Sequence, residues 1–129
     1  MTSSIDEHLT LAPEPSAVAT ARQLVADLCR KAGVDDDASD MAVLLTSETV
    51  TNAFTHGRSE AQVAVSVSPD KIRVEVGDDN SRHPHQVVRD HDALDGRGMT
   101  IVAILATTWG VTDDPYGKVL WFEVAVPES

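Results

Sequence analysis

The chain holds one cysteine, Cys29, in 129 residues, so no internal disulfide can form. Without metal-ligating neighbours in its helical pattern, that thiol reads as inert. Positive charge is scarce: ten Lys and Arg face twenty-one Asp and Glu, for a net charge of -11. That is the wrong sign for a surface that neutralises a phosphodiester backbone, and it argues against direct nucleic-acid binding. No apolar run approaches the roughly twenty residues of a membrane span, and no basic-then-apolar leader opens the sequence. A soluble cytoplasmic protein is the expectation. Internal repeats and linkers are absent too, so the chain reads as a single domain over 1–129. Two phosphate-binding signatures are also missing. The Gly-Lys pair Gly117–Lys118 runs into Val119 rather than Ser or Thr, which excludes a P-loop. A polar loop, not a strand, precedes Gly96, which excludes a Rossmann fingerprint.

What is there is regular periodicity. Residues 1–7 are expected to be disordered, and "HLTLAP" (8–13) to form a short edge strand ended by its proline. From Ser16, read as an N-cap, Val18, Ala21, Val25 and Leu28 recur at helical spacing until Gly33 stops the helix. Asp35, Asp36 and Asp37 bring negative charge to the start of a second helix that runs to His56 and closes at Gly57. "AQVAVSVSPDKIRVEVGDD" then alternates with period two, Val63, Val65 and Val67 facing the way of Ile72, Val74 and Val76 about an "SPDK" turn. Residues 79–95 break both periodicities and read as a lid-like loop. A third helix is expected from about Gly98 to Ala106, then a hairpin of "WGVTD" and "KVLWFEVAV" about "DPYGK". This order predicts an α+β fold: a two-layer α/β sandwich whose mixed, mostly antiparallel sheet is covered on one face by about three helices.

Three places hold groups suited to chemistry. On the second helix, Met41, Leu44, Leu45, Glu48 and Asn52 fall on one side when the chain advances about 100° per residue. A carboxylate and a carboxamide one turn apart suit a hydrated Mg²⁺ and a reacting hydroxyl, the amide oxygen as a hard ligand and the carboxylate as a base. Val43, Val50 and Phe54 form a rival apolar line. If that line is the buried one, Glu48 is merely exposed. At the end of "VEVGDD", Asp78 is placed to accept a hydrogen bond from an exocyclic amine such as that of adenine, or to sit in an Asp-rich turn. Gly96 and Gly98 open the third helix, where bare backbone and free N–H groups suit a phosphate, or where the pair only shapes a turn.

These pieces, in this order and with a lid before the glycine pair, resemble the ATP-binding domain shared by gyrase-type topoisomerases, sensor histidine kinases and bacterial anti-sigma-factor serine kinases. The resemblance runs from "LTLAPEPSAV" to "GKVLWFEV" and is strongest to the free-standing anti-sigma kinase group. "SETVTNAFTHG" is similar to its N box, "VEVGDD" to its adenine-contacting strand end, and "GRGMTIV" to its second glycine box. The resemblance implies the fold built around this type of ATP site (the Bergerat fold), with Glu48 as catalytic base, Asn52 as Mg²⁺ ligand and Asp78 as adenine partner. Gly96, Arg97 and Gly98, with Met99 beside them, would bind the ATP phosphates. It implies a serine/threonine protein kinase that phosphorylates an anti-sigma-factor antagonist and sequesters a sigma factor, and it leaves a homodimer open. In larger members glycines follow the strand where Asn80 and Arg82 stand here. Side chains at those positions limit backbone approach to the nucleotide, which favours a second expectation, a protein-interaction switch without kinase activity.

Other groups carry less. His83, His85, His91 and Asp92 have zinc-ligand chemistry, but they are spread along the loop and read as solvated. His56 is read as interacting with the helix dipole, and Trp109 and Trp121 as core or sheet-surface residues.

Overall fold

The computed structural model describes residues 4–57, 60–78, 105–114 and 117–127. The elements are β1 (Ile5–Leu11), α1 (Pro15–Ala32), α2 (Asp36–Gly57), β2 (Ala61–Ser68), β3 (Lys71–Asp78), β4 (Thr108–Asp114) and β5 (Gly117–Ala125). The strands form one sheet in the order β1-β2-β3-β5-β4. Every pairing is antiparallel, so the parallel pairs allowed by a mixed sheet are absent among the described residues. The α+β expectation holds, with two helices described. The expected third helix and the 79–95 lid lie outside the described residues, except that Leu105 is helical and Leu105 and Ala106 are half-buried against the core.

The sheet follows from the period-two pattern. Val63, Val65, Val67, Ile72, Val74 and Val76 are all buried, and Leu120, Phe122 and Val124 extend the same face onto β5. β1 begins earlier than expected. It starts at Ile5, inside the stretch expected to be disordered, because its register with β2 runs unbroken from Ile5 opposite Val67 to Leu11 opposite Ala61. Ile5 and Leu9 pack against the core, and this pairing carries the strand beyond its local sequence signal.

The start of α1 also differs. Glu14 is the N-cap, in extended conformation, and Pro15 occupies the first turn. Proline has a preset φ and no N–H to leave unpaired, so the helix begins at the proline itself. Ser16 is therefore inside the helix, its carbonyl accepting from Thr20 Oγ1 at 3.1 Å. At the other end Gly33 adopts φ 75°, and the N–H groups of Gly33 and Val34 donate to Arg30 O and Cys29 O.

α2 opens on Asp35, whose carboxylate accepts from the Ala38 N–H at 2.9 Å. Its buried arc runs through Ala38, Ala42, Leu45, Thr46, Thr49 and Val50. Of the two rival apolar lines neither is buried whole: the arc takes Leu45 from one and Val50 from the other. α2 packs both on α1 and on the sheet. The two buried threonine hydroxyls are satisfied within the helix, Thr46 Oγ1 donating to Ala42 O at 2.7 Å and Thr49 Oγ1 to Thr46 O at 3.1 Å.

Candidate functional site

Glu48 and Asn52 stand at the margin of that buried arc. Both are half-buried, a placement that spares them the several kcal/mol of an unpaired polar group in the core while keeping them against structured protein. One helical turn separates them, about 6 Å of rise, so their side chains lie on the same side of α2. The helix is held in register by its cap at Asp35 and by Leu45 and Val50, both fully buried.

Asp78 is the last residue of β3, in register with Ala61 on β2 and Lys118 on β5. β3 is one of the strands on which α2 packs, through the face that carries Val74 and Val76. Gly96, Arg97, Gly98 and Met99 lie outside the described residues, as do His83, His85, His91 and Asp92, together with Asn80 and Arg82. Among the described residues no group of three or more His, Cys, Asp or Glu is arranged to hold a metal ion. The Asn52 carboxamide oxygen is a hard donor of the kind that fits a magnesium ion completing its shell with water and phosphate, and the Glu48 carboxylate one turn away is free to serve as a base.

The opposite face of the sheet carries an ionic cluster that the sequence did not disclose. Arg73 Nε donates to Glu75 Oε2 at 3.0 Å and Arg73 Nη1 to Glu123 Oε2 at 2.9 Å, and the guanidinium lies 4.4 Å from the ring centroid of Trp121. Lys71 Nζ is 3.5 Å from the same Glu123 oxygen. Burial by itself would raise the Glu123 carboxyl, but the Arg73 hydrogen bond and the Lys71 charge outweigh it and hold the group below its ordinary value. Burial likewise opposes the charge on Arg73, and Glu123 and Glu75 more than restore it. An open groove of about 470 Å³, whose lining includes Asp6, His8, Ser66, Arg73 and Glu75, lies on this side. It is across the sheet from α2 and separate from the Glu48–Asn52 pair. Trp121 is a half-exposed sheet-surface residue and Trp109 is exposed at edge strand β4, so neither is a core residue.

Cys29 is fully buried, and burial pushes its thiol up from the ordinary value, in keeping with an inert side chain. No helix among the described residues is long and apolar enough to cross a membrane.

Comparison with known proteins bears on the fold and the family. No curated protein matches the chain. Among solved structures it is similar to the RsbU and RsbW domains of Rv1364c from Mycobacterium tuberculosis, with a TM-score of 0.75 and 19% identity over 97% of this chain and 33% of that one. It is also similar to a chain of the SiaB–SiaC complex from Pseudomonas aeruginosa, with a TM-score of 0.66 and 11% identity over 93% of this chain and 89% of that one. The chain thus spans about a third of the Rv1364c structure, and at these identities both likenesses establish the fold. The model of the histidine kinase-like ATPase domain matches residues 11–124, nearly the whole chain from the end of β1 to the end of β5, and the chain therefore belongs to the histidine kinase-like ATPase domain family.

Proposed function

We propose that this protein is an ATP-dependent anti-sigma regulatory factor with serine/threonine kinase activity, working in the cytoplasm on two protein partners, an anti-sigma-factor antagonist that it phosphorylates and a sigma factor that it sequesters. The observation that carries this reading is the half-buried Glu48–Asn52 pair, one turn apart on a capped helix. Family membership supports nucleotide binding. The fold shared with the RsbW domain of Rv1364c and with the SiaB–SiaC complex supports protein partners of this kind.

Bound Mg²⁺-ATP would supply the phosphoryl group and offset its charge. The chain's own residues do the rest. Asn52 offers its carboxamide oxygen to the metal, and Asp78 accepts from the adenine amine. The stretch Gly96, Arg97, Gly98 and Met99 binds the phosphates through backbone N–H groups. Glu48 accepts the proton of a serine or threonine hydroxyl as that oxygen bonds to the terminal phosphorus and the bond from phosphorus to the bridging oxygen breaks.

The test is incubation with labelled ATP, Mg²⁺ and candidate antagonist proteins. Wild type is expected to label one of them. Glu48→Gln is expected to bind the nucleotide yet lose transfer by about two orders of magnitude or more, and Asn52→Ala to lose magnesium-dependent binding. Transfer unaffected by Glu48→Gln would defeat the kinase assignment.

A second reading, stoichiometric capture without phosphoryl transfer, is favoured by Asn80 and Arg82, which stand where larger family members carry glycine. Calorimetry showing nucleotide binding, together with no transfer to any antagonist, supports it.

A further inference from the structure

We propose that the N-terminal half of α2 is the docking face for the hydroxyl-bearing acceptor protein, an apolar side chain of that protein resting on Leu44 and Met41 and a basic one lying opposite Asp37 and Asp40. The inference deepens the kinase reading and rests on the roles given there to Glu48 and Asn52.

Those two roles impose a direction along the helix. The metal and the phosphate chain belong at Asn52, and the reacting hydroxyl belongs at Glu48, about 6 Å nearer the helix N-terminus. In-line displacement puts the attacking and leaving oxygens on opposite sides of phosphorus. The acceptor therefore arrives from the side away from the nucleotide, over the turn that precedes Glu48.

That turn presents Leu44, four residues before Glu48 and on the same side of the helix. It is 42% exposed, whereas its neighbour Leu45 is 0% exposed. Leu44 is the one exposed large hydrophobic of α2 among the described residues, the others being Trp109 and Val111 on β4. Met41 is half-buried one turn further on, and exposed Asp37 and Asp40 follow. Successive positions 37, 41, 44 and 48 advance by three or four residues, so an acid, two apolar side chains and the base form one continuous line. An apolar contact bordered by negative charge complements an acceptor surface that carries an aliphatic side chain next to Lys or Arg.

The experiment uses the full chain, labelled ATP and the antagonist protein that wild type labels. Leu44→Asp and the double variant Asp37→Lys/Asp40→Lys are compared with wild type for acceptor KM, kcat and affinity for a non-hydrolysable ATP analogue. Leu44→Ala guards against misfolding, with thermal unfolding recorded for each. The expected result is a rise of about tenfold or more in acceptor KM for Leu44→Asp, and a salt-sensitive rise for the charge variant, with kcat and nucleotide affinity unchanged. An unchanged acceptor KM in folded Leu44→Asp and Leu44→Ala overturns the docking face alone and leaves the kinase reading standing. Weakened nucleotide binding in the Leu44 variants overturns it too, by assigning Leu44 to the nucleotide pocket. If wild type binds the analogue but labels no antagonist, the kinase reading and the docking face fall together.

Discussion

At Gly110 the neighbouring strand leaves no room for a side chain. A Cβ built there would lie 2.8 Å from the Trp121 ring, which is itself stacked under the Arg73 guanidinium. Gly110→Ala is therefore expected to displace the ring, lower the unfolding free energy by about 1–3 kcal/mol, and change tryptophan fluorescence; urea denaturation and an emission spectrum check both. Gly110 and Trp121 are opposed through the β4–β5 register, and nothing in the local sequence around Gly110 marks it as unusual. Glu48 and Asn52 were legible for the opposite reason. Their relation lies within one helix, where a spacing of four fixes the side they share. Their degree of burial was not legible, because it depends on how α2 is rolled against α1 and the sheet, and the two apolar lines of the helix allowed either answer.

Among the elements, the helix ends give the sharpest expectations. Gly33 adopts φ 75° with nothing within 4 Å of where a Cβ would be, so Gly33→Ala meets backbone strain and no clash. A loss of about 1–2 kcal/mol is expected, measured by chemical denaturation. Asp35→Ala removes the acceptor for the Ala38 N–H and is expected to cost about 1 kcal/mol; Asp35→Asn, which keeps an acceptor oxygen, should recover most of it. The Gly33 stop and the β2–β3 hairpin were readable because their signals are local: a glycine after the last periodic residue, and a Ser-Pro-Asp-Lys turn between two alternating runs. The start of α1 was misread at Ser16 because Pro15 at the first helical position outweighs a serine cap one residue later. The start of β1 was missed because long-range pairing with β2 supplies what "IDEH" lacks in strand-forming residues.

For the whole molecule, the face of the sheet opposite α2 sets an acid sensitivity. The folded state holds Glu123 below its ordinary value of 4.5, burial opposing and the Arg73 and Lys71 contacts prevailing. A depressed folded pKa means that its contribution to stability is fully present above about 4.5 and is lost as pH falls from there through the folded value. Denaturation midpoints of wild type and Glu123→Gln should therefore differ at pH 7 and converge on acidification; a constant difference would show that the ion cluster does not contribute in this way. Asp27, lowered by Gln23 and Arg30, titrates in the same direction on the surface of α1. This cluster joins Arg73 to Glu123, fifty positions away in the chain, and no pattern within either strand predicts it. The sequence by itself determined the α+β class, the order of the described elements, the apolar face of the β2–β3 hairpin and the spacing of the acid and amide on α2, because each follows from a short-range periodicity or a local backbone preference. Only the tertiary structure decided that β1 reaches back to Ile5, that Leu45 and Val50 are buried together while Leu44 is left in water, and that Arg73, Glu123 and Trp121 meet. Those outcomes depend on strand register and on the roll of one helix against two neighbours, and both are set by the packing of residues far apart in the chain.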